Sequence, residues 1–133
     1  CIRKTFEIAR KKPAGDQFVF VNLVDTDMIY GHRRNPQGYH DAVAAIDAVL
    51  PELESLLDDG DVLAVTGDHG CDPTFKGTDH TREHVPLIFK TTGSDLLTAD
   101  EASFGVRMSF SDLSVSIQKV FGKTPRGNGA AFL

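Results

Sequence analysis

The chain has 133 residues, of which 41% are hydrophobic and 25% are charged, a composition typical of a soluble domain with an apolar core. Its formal net charge of -5 at pH 7 argues against a nucleic-acid partner, because surfaces that bind polyanions are rich in lysine and arginine. The longest apolar runs have about eight residues, far fewer than the roughly 20 that cross a bilayer. We therefore expect no membrane partner.

The two cysteines, Cys1 and Cys71, are isolated thiols without a CxxC spacing. Such cysteines are typical of reduced, non-ligating residues, and they indicate a cytoplasmic protein. No repeat, linker or low-complexity tract divides the sequence. We therefore expect a single domain over residues 1–133.

The first part of the chain predicts a helix followed by a buried strand. Residues 1–12 carry apolar side chains at roughly helical spacing, and the pattern stops at Pro13. Residues 17–24, QFVFVNLV, are apolar on both faces. A run of this kind is typical of a central strand in a parallel sheet.

A long helix is predicted next. Asn35-Pro36 is a typical helix entry, with proline at the first helical position. Apolar positions then follow a helical stripe over residues 42–57. Pro51 lies inside this stripe, and we expect it to kink the helix without ending it.

The second half predicts two strands and a helix. The strands are predicted at residues 62–66 and 85–89, and Ser111 is predicted to cap a final helix that closes at Gly122. The order is helix, strand, helix, strand, strand, helix. This order predicts an α/β fold with a largely parallel sheet and flanking helices.

Carboxylates and imidazoles lie where the predicted strands end. In parallel α/β sheets, ligands bind beyond the carboxyl ends of the strands, so we expect these side chains to meet at one edge. The residues are Asp25, Asp27 and His32 after the first strand, Asp68 and His69 after the second, and His80 before the third.

The stretch TGDHGCDPTFKGTDH, residues 66–80, contains two Asp-His pairs among glycines. Neighbouring side chains on a strand point to opposite faces, so Asp68 and His69 reach one ion only where the chain turns. Gly67 and Gly70 permit such a turn. The alternative is a structural Asp-His hydrogen bond at the strand end.

The number and type of these side chains favour two metal ions. The set of Asp27, Asp68, His32, His69 and His80 offers two carboxylates and three imidazoles, more ligands than one tetrahedral zinc accepts. Mixed oxygen and nitrogen ligands without thiolate suit manganese, magnesium-like ions or zinc.

Three stretches carry a resemblance to a known family. The sequence NLVDTDMIYGHRRNPQGYH, followed by TGDHGCDPTFKGTDHTREHVPLIF and GVRMSFSDLSVSIQKVFG, closely resembles the C-terminal section of phosphopentomutases. These enzymes belong to the alkaline phosphatase superfamily of two-metal phosphoryl-transfer enzymes. The resemblance implies a partial alkaline-phosphatase-like core for this chain.

The resemblance also implies the ligand set. Two manganese ions are implied, with magnesium, cobalt or zinc as substitutes. Asp27 is preferred over Asp25 because the family spacing to His32 selects it. One ion is bound by Asp68 and His69, and the second by Asp27, His32 and His80. Other side chains near the motifs have supporting roles. Arg33, Arg34 and Arg82 are predicted to contact phosphate or to support the loops. Asp79 is predicted to orient a histidine.

The implied activity is the interconversion of ribose 1-phosphate and ribose 5-phosphate, or of the deoxyribose pair, in nucleoside catabolism. The family's nucleophilic threonine, one aspartate ligand and the cap domain have no counterpart in this chain. We therefore expect a fragment that is inactive alone and that either pairs with an N-terminal segment or self-associates. The remaining alternatives are a non-catalytic metal-binding module, one half of a split enzyme, and a metal-dependent phosphatase of the same superfamily.

Overall fold

The computed structural model describes residues 1–93 and 103–133. The chain divides into two compact units, Cys1–Thr92 and Gly93–Leu133. No helix in the described ranges is long and apolar enough to span a bilayer. The elements in chain order are α1 (Ile2–Ala9), a π-helix (Thr26–Gly31), α2 (Pro36–Asp47), α3 (Leu50–Glu54), β1 (Val62–Thr66), β2 (Leu87–Thr91) and α4 (Phe110–Val120).

The sheet consists of two antiparallel strands. In their register, Val62 faces Thr91 and Thr66 faces Leu87. β1 has the predicted bounds. β2 begins two residues later than predicted, after Pro86, which has no N–H to give to a strand ladder. The α/β content is confirmed, but the prediction of a largely parallel sheet is wrong for the part of the chain that the structure describes.

Residues 17–24 also differ from the prediction. This segment was predicted to be a central strand, but it is not a strand in the structure. Its side chains are largely exposed, with Phe18 57% and Phe20 80% accessible. A strand requires a neighbour that accepts and donates its backbone hydrogen bonds, and the β1–β2 pair does not extend to this segment.

The long predicted helix is two helices. Asn35 caps α2 as predicted, its side chain accepting a hydrogen bond from the Gly38 N–H at 2.9 Å. Instead of kinking at Pro51, the chain ends α2 at Asp47 and starts α3 with Pro51 in its first turn. The reason is steric, because a proline ring clashes with the carbonyl four residues earlier, which here belongs to Asp47.

The second unit is built around α4. Ser109, rather than the predicted Ser111, caps this helix, because the Ser109 backbone is extended and its side chain accepts from the Ser111 N–H at 3.1 Å. Gly122 closes the helix as predicted, at a φ of 62° that favours glycine.

A buried aspartate ties the C-terminal residues to α4. Asp112 is 8% exposed and accepts hydrogen bonds from Arg107 Nε and from the Ala130 N–H, both at 2.9 Å. The fully buried Ser116 hydroxyl donates to the Asp112 carbonyl and accepts from the Phe132 N–H at 3.0 Å. These contacts fix the C-terminal residues without regular secondary structure.

We expect Asp112→Ala to destabilise α4 by about 2 kcal/mol, because it leaves a guanidinium and a backbone N–H without their acceptor. Amide hydrogen exchange of the α4 backbone measures this loss. The exposed Ser114→Ala on the same helix is the control. Equal protection of α4 in both variants would contradict the role given to Asp112.

The exposed apolar segment 17–24 predicts concentration-dependent self-association, because contiguous exposed apolar surface is typical of an interface. We expect Phe20→Ser to lower the association constant measured by sedimentation equilibrium. Phe75→Ser, at a side chain that is 60% exposed elsewhere in the chain, is the matched control. A monomeric wild-type chain at all concentrations would refute this prediction.

Candidate metal centre

The π-helix aligns Asp27 with His32. Each of its backbone hydrogen bonds joins an N–H to the carbonyl five residues earlier, as in the 3.0 Å bond from the His32 N–H to the Asp27 carbonyl. In an α-helix, side chains five residues apart differ by about 140° around the axis. The wider π-helix brings them to one side, and His32 Nε2 lies 3.4 Å from Asp27 Oδ2.

Two glycines allow the π-helix to pack closely against its neighbours. Gly31 is buried, and a Cβ there would collide with the Sγ atom of Cys71. Gly38 on α2 lies against the ring of Tyr30. Cys71 is therefore packed against Gly31 of the π-helix.

The loop after β1 brings two histidines together. Gly70 and Thr81 form an isolated antiparallel bridge, in which the Thr81 N–H donates to the Gly70 carbonyl at 3.2 Å. His69 and His80 each precede a bridge residue. Their rings are stacked, with centroids 3.6 Å apart and planes 20° apart.

Asp27, His69 and His80 form a cluster that can hold a cation. Each offers one ligand atom, and these atoms all lie within 4.8 Å of one another. Asp27 Oδ1 lies 3.4 Å from His80 Nε2, yet it is buried and has no hydrogen-bond partner among the described residues. Since a buried polar atom without a partner is costly, this donor set fits a cation.

Backbone carbonyls select the imidazole tautomers. His32 Nδ1 contacts the Thr78 carbonyl, and His69 Nδ1 lies 3.2 Å from the Gly70 carbonyl. A carbonyl only accepts hydrogen bonds, so the proton of each neutral ring is on Nδ1 and the Nε2 lone pair is free. Metal-binding histidines are typically oriented in this way.

The structure groups the predicted ligands differently from the resemblance. His69 lies with Asp27 and His80, while His32 lies on the other carboxylate oxygen of Asp27. The side chain of Asp68 is 74% exposed, with Oδ1 3.6 Å from His69 Nε2. The assignment of these five residues to two ions stays a prediction.

The remaining predicted residues are not part of this cluster. Asp25 is exposed and precedes the π-helix as its N-cap. Within residues 1–93, none of the other four forms an ion pair with the clustered side chains. These four exposed residues are Arg33, Arg34, Asp79 and Arg82.

Two further groups face the cluster. Burial, followed by a hydrogen bond with Asp27, raises the pKa of the Cys71 thiol to about 11, so the thiol is neutral at pH 7. Burial also raises the pKa of the half-buried Tyr39 phenol. No sequence signal selects Tyr39, because its position near the cluster depends on the packing of α2 beside the π-helix.

Comparison with known proteins places the chain among metalloenzymes. The Metalloenzyme superfamily model matches residues 2–124. The chain is 48% identical to a phosphopentomutase of Aeromonas hydrophila over 123 residues. The matched region covers 92% of this chain and 29% of the Aeromonas protein. The corresponding protein of Elusimicrobium minutum is 42% identical, with 92% and 30% covered. That of Kosmotoga olearia is 44% identical over 131 residues, with 98% and 32% covered.

These matches confirm the resemblance to phosphopentomutases. The chain spans about 30% of the length of the curated relatives it matches. The matched region includes the π-helix and the loop that carry the clustered ligands. By the family model that covers residues 2–124, the chain belongs to the Metalloenzyme superfamily.

Proposed function

We propose that this chain is the metal-binding section of a phosphopentomutase, which interconverts (deoxy)ribose 1-phosphate and (deoxy)ribose 5-phosphate by two-metal phosphoryl transfer. The observation that supports it is the cluster of Asp27, His69 and His80 in a chain 42–48% identical to phosphopentomutases. The phosphorylated pentose is the proposed substrate, and the cytoplasm the proposed compartment.

The residues of the cluster would act as a rigid ligand set. The carboxylate of Asp27 supplies negative charge from the π-helix, and His69 and His80 supply imidazoles from the loop after β1. His32 and Asp68 extend the set on either side. Divalent cations held there would neutralise charge that develops on the phosphoryl oxygens and lower the pKa of an attacking hydroxyl.

Manganese is the proposed metal, with magnesium, cobalt or zinc as substitutes. Carboxylates combined with imidazoles suit these ions. Cys71 is not among the three residues whose ligand atoms converge. The ligand set is therefore oxygen and nitrogen without sulfur.

The reacting hydroxyl is proposed to come from outside this chain, as the resemblance implies. This makes the chain a fragment or one half of a split enzyme, and a non-catalytic metal-binding module is the second candidate. The exposed apolar segment 17–24 favours a partner polypeptide, because it has the composition of a strand but pairs with no strand in the part of the chain that the structure describes. Self-association is the alternative use of the same surface.

Manganese binding tests the cluster directly. We expect Asp27→Asn to lower the Mn²⁺ affinity, measured by isothermal titration calorimetry, by about 100-fold or more, since it removes the only carboxylate among the three clustered ligands. The matched control is Asp25→Asn, two residues earlier and exposed, which should bind as the wild type does. Equal losses in both variants would contradict the assignment of Asp27.

Mutase activity tests the proposed function. In the Aeromonas hydrophila phosphopentomutase, the 123 matched residues are replaced by those of this chain, and conversion of ribose 1-phosphate to ribose 5-phosphate is measured. We expect the chimera to turn over, and Asp27→Asn within it to lose about 100-fold or more of kcat/KM.

The isolated chain provides the complementary result. We expect no turnover by it with Mn²⁺, because the nucleophile is proposed to lie elsewhere. Turnover that disappears in an Asp68→Asn variant, prepared identically, would show that the chain carries its own nucleophile. An inactive chimera that folds and binds Mn²⁺ would favour the non-catalytic module.

A further inference from the structure

One threonine hydroxyl closes the loop that carries the two stacked histidines. Thr81 Oγ1 accepts a hydrogen bond from the Asp72 backbone N–H at 2.7 Å and donates one to Glu83 Oε2. The backbone of Thr81 also pairs with Gly70 in the antiparallel bridge. Thr81 therefore joins the beginning and the end of the loop through both its backbone and its side chain.

This closure is directly adjacent to the candidate ligands. His69 precedes Gly70, and His80 precedes Thr81, so each imidazole is one residue from the bridge. The stacking of the two rings at 3.6 Å depends on how the two chain segments are held. A shift at the bridge would move one Nε2 atom relative to the other.

Glu83 sets the direction of the Thr81 hydroxyl. A carboxylate only accepts hydrogen bonds, so the hydroxyl proton points to Glu83 and a lone pair faces the Asp72 N–H. Gly70 leaves room for this carboxylate, because a Cβ there would lie 2.6 Å from Glu83 Oε2 and 2.7 Å from Glu83 N. The side chain of Glu83 thus acts through Thr81 on the loop.

We propose that Thr81, oriented by Glu83, is a positioning residue that fixes the spacing of the His69 and His80 imidazoles in the metal centre. Thr81 touches neither cation nor substrate in this role. The inference rests on the proposed function, since it requires that these imidazoles bind a cation. Because the Thr81 hydroxyl is not a ligand in this role, any effect of Thr81 on metal affinity acts through the positions of the two imidazoles.

The test is Mn²⁺ affinity of the full chain, measured by calorimetry. We expect Thr81→Val to lower the affinity about tenfold, while Thr81→Ser, which keeps the hydroxyl, stays within about twofold of the wild type. Glu83→Ala should weaken binding in the same direction. Glu83→Gln should restore it, because its amide oxygen accepts the same hydrogen bond.

A matched control lies in the same loop. Thr74 Oγ1 donates to Asp72 Oδ1 at 2.7 Å, a local bond that does not join the segments of the two histidines. Thr74→Val should therefore leave the Mn²⁺ affinity unchanged. Melting temperatures identify variants that lose global stability, and if Thr81→Val is among them, the Glu83 pair carries the comparison.

A second measurement on the metal-free chain follows the closure itself. The Asp72 amide should exchange with solvent faster in Thr81→Val than in Thr81→Ser. Equal exchange of the Asp72 amide in the two variants would overturn this inference but not the proposed function. So would a Thr81→Val variant that binds Mn²⁺ as tightly as a wild type that binds it. A wild-type chain that binds no Mn²⁺ would overturn the proposed function and the inference with it.

Discussion

The candidate site depends on compensating the charge of one carboxylate. Asp27 directs Oδ2 towards His32 Nε2 and Oδ1 towards His80 Nε2, each at 3.4 Å. In a neutral imidazole with its proton on Nδ1, the tautomer that the Thr78 carbonyl selects for His32, Nε2 is an acceptor that faces the carboxylate oxygen, itself an acceptor. A cation removes this conflict, since it is attracted to both atoms, and among the described residues no hydrogen-bond donor contacts Oδ1. The need of Asp27 Oδ1 for a cation is thus the chemical reason for bringing the π-helix and the loop after β1 together.

Local sequence signals predicted the parts of the fold that local forces determine. The β-branched run at residues 62–66 became β1 without change, and Asn35 and Gly122 mark helix ends as predicted. The errors lie where the outcome depends on distant partners. Residues 17–24 have the composition of a strand, but a strand forms only beside another, and Pro51 interrupted a stripe whose spacing alone indicated one helix.

The candidate site shows the same division. The residue types and their approximate meeting place could be predicted from sequence, because three loops each carry acids or histidines. Their grouping could not, since it depends on the π-helix register that aligns Asp27 with His32 and on the bridge that stacks His69 on His80. Side chains five residues apart do not share a face in an α-helix or in a strand, so this spacing alone does not predict that Asp27 and His32 meet. The spacing predicts this contact only when the backbone forms a π-helix, in which each N–H donates to the carbonyl five residues earlier.

The exposed apolar segment and the metal centre are neighbours in the chain. Residues 17–24 end one residue before Asp25, the N-cap of the π-helix that carries Asp27. Burying a phenylalanine contributes roughly 1.5–3 kcal/mol. Phe18 is 57% and Phe20 80% exposed, so burying what remains exposed would supply roughly 2–4 kcal/mol, against the roughly 5–15 kcal/mol that stabilises a whole domain. A strand partner would thus stabilise the backbone that leads into the π-helix, and a cation at Asp27 would stabilise the π-helix itself.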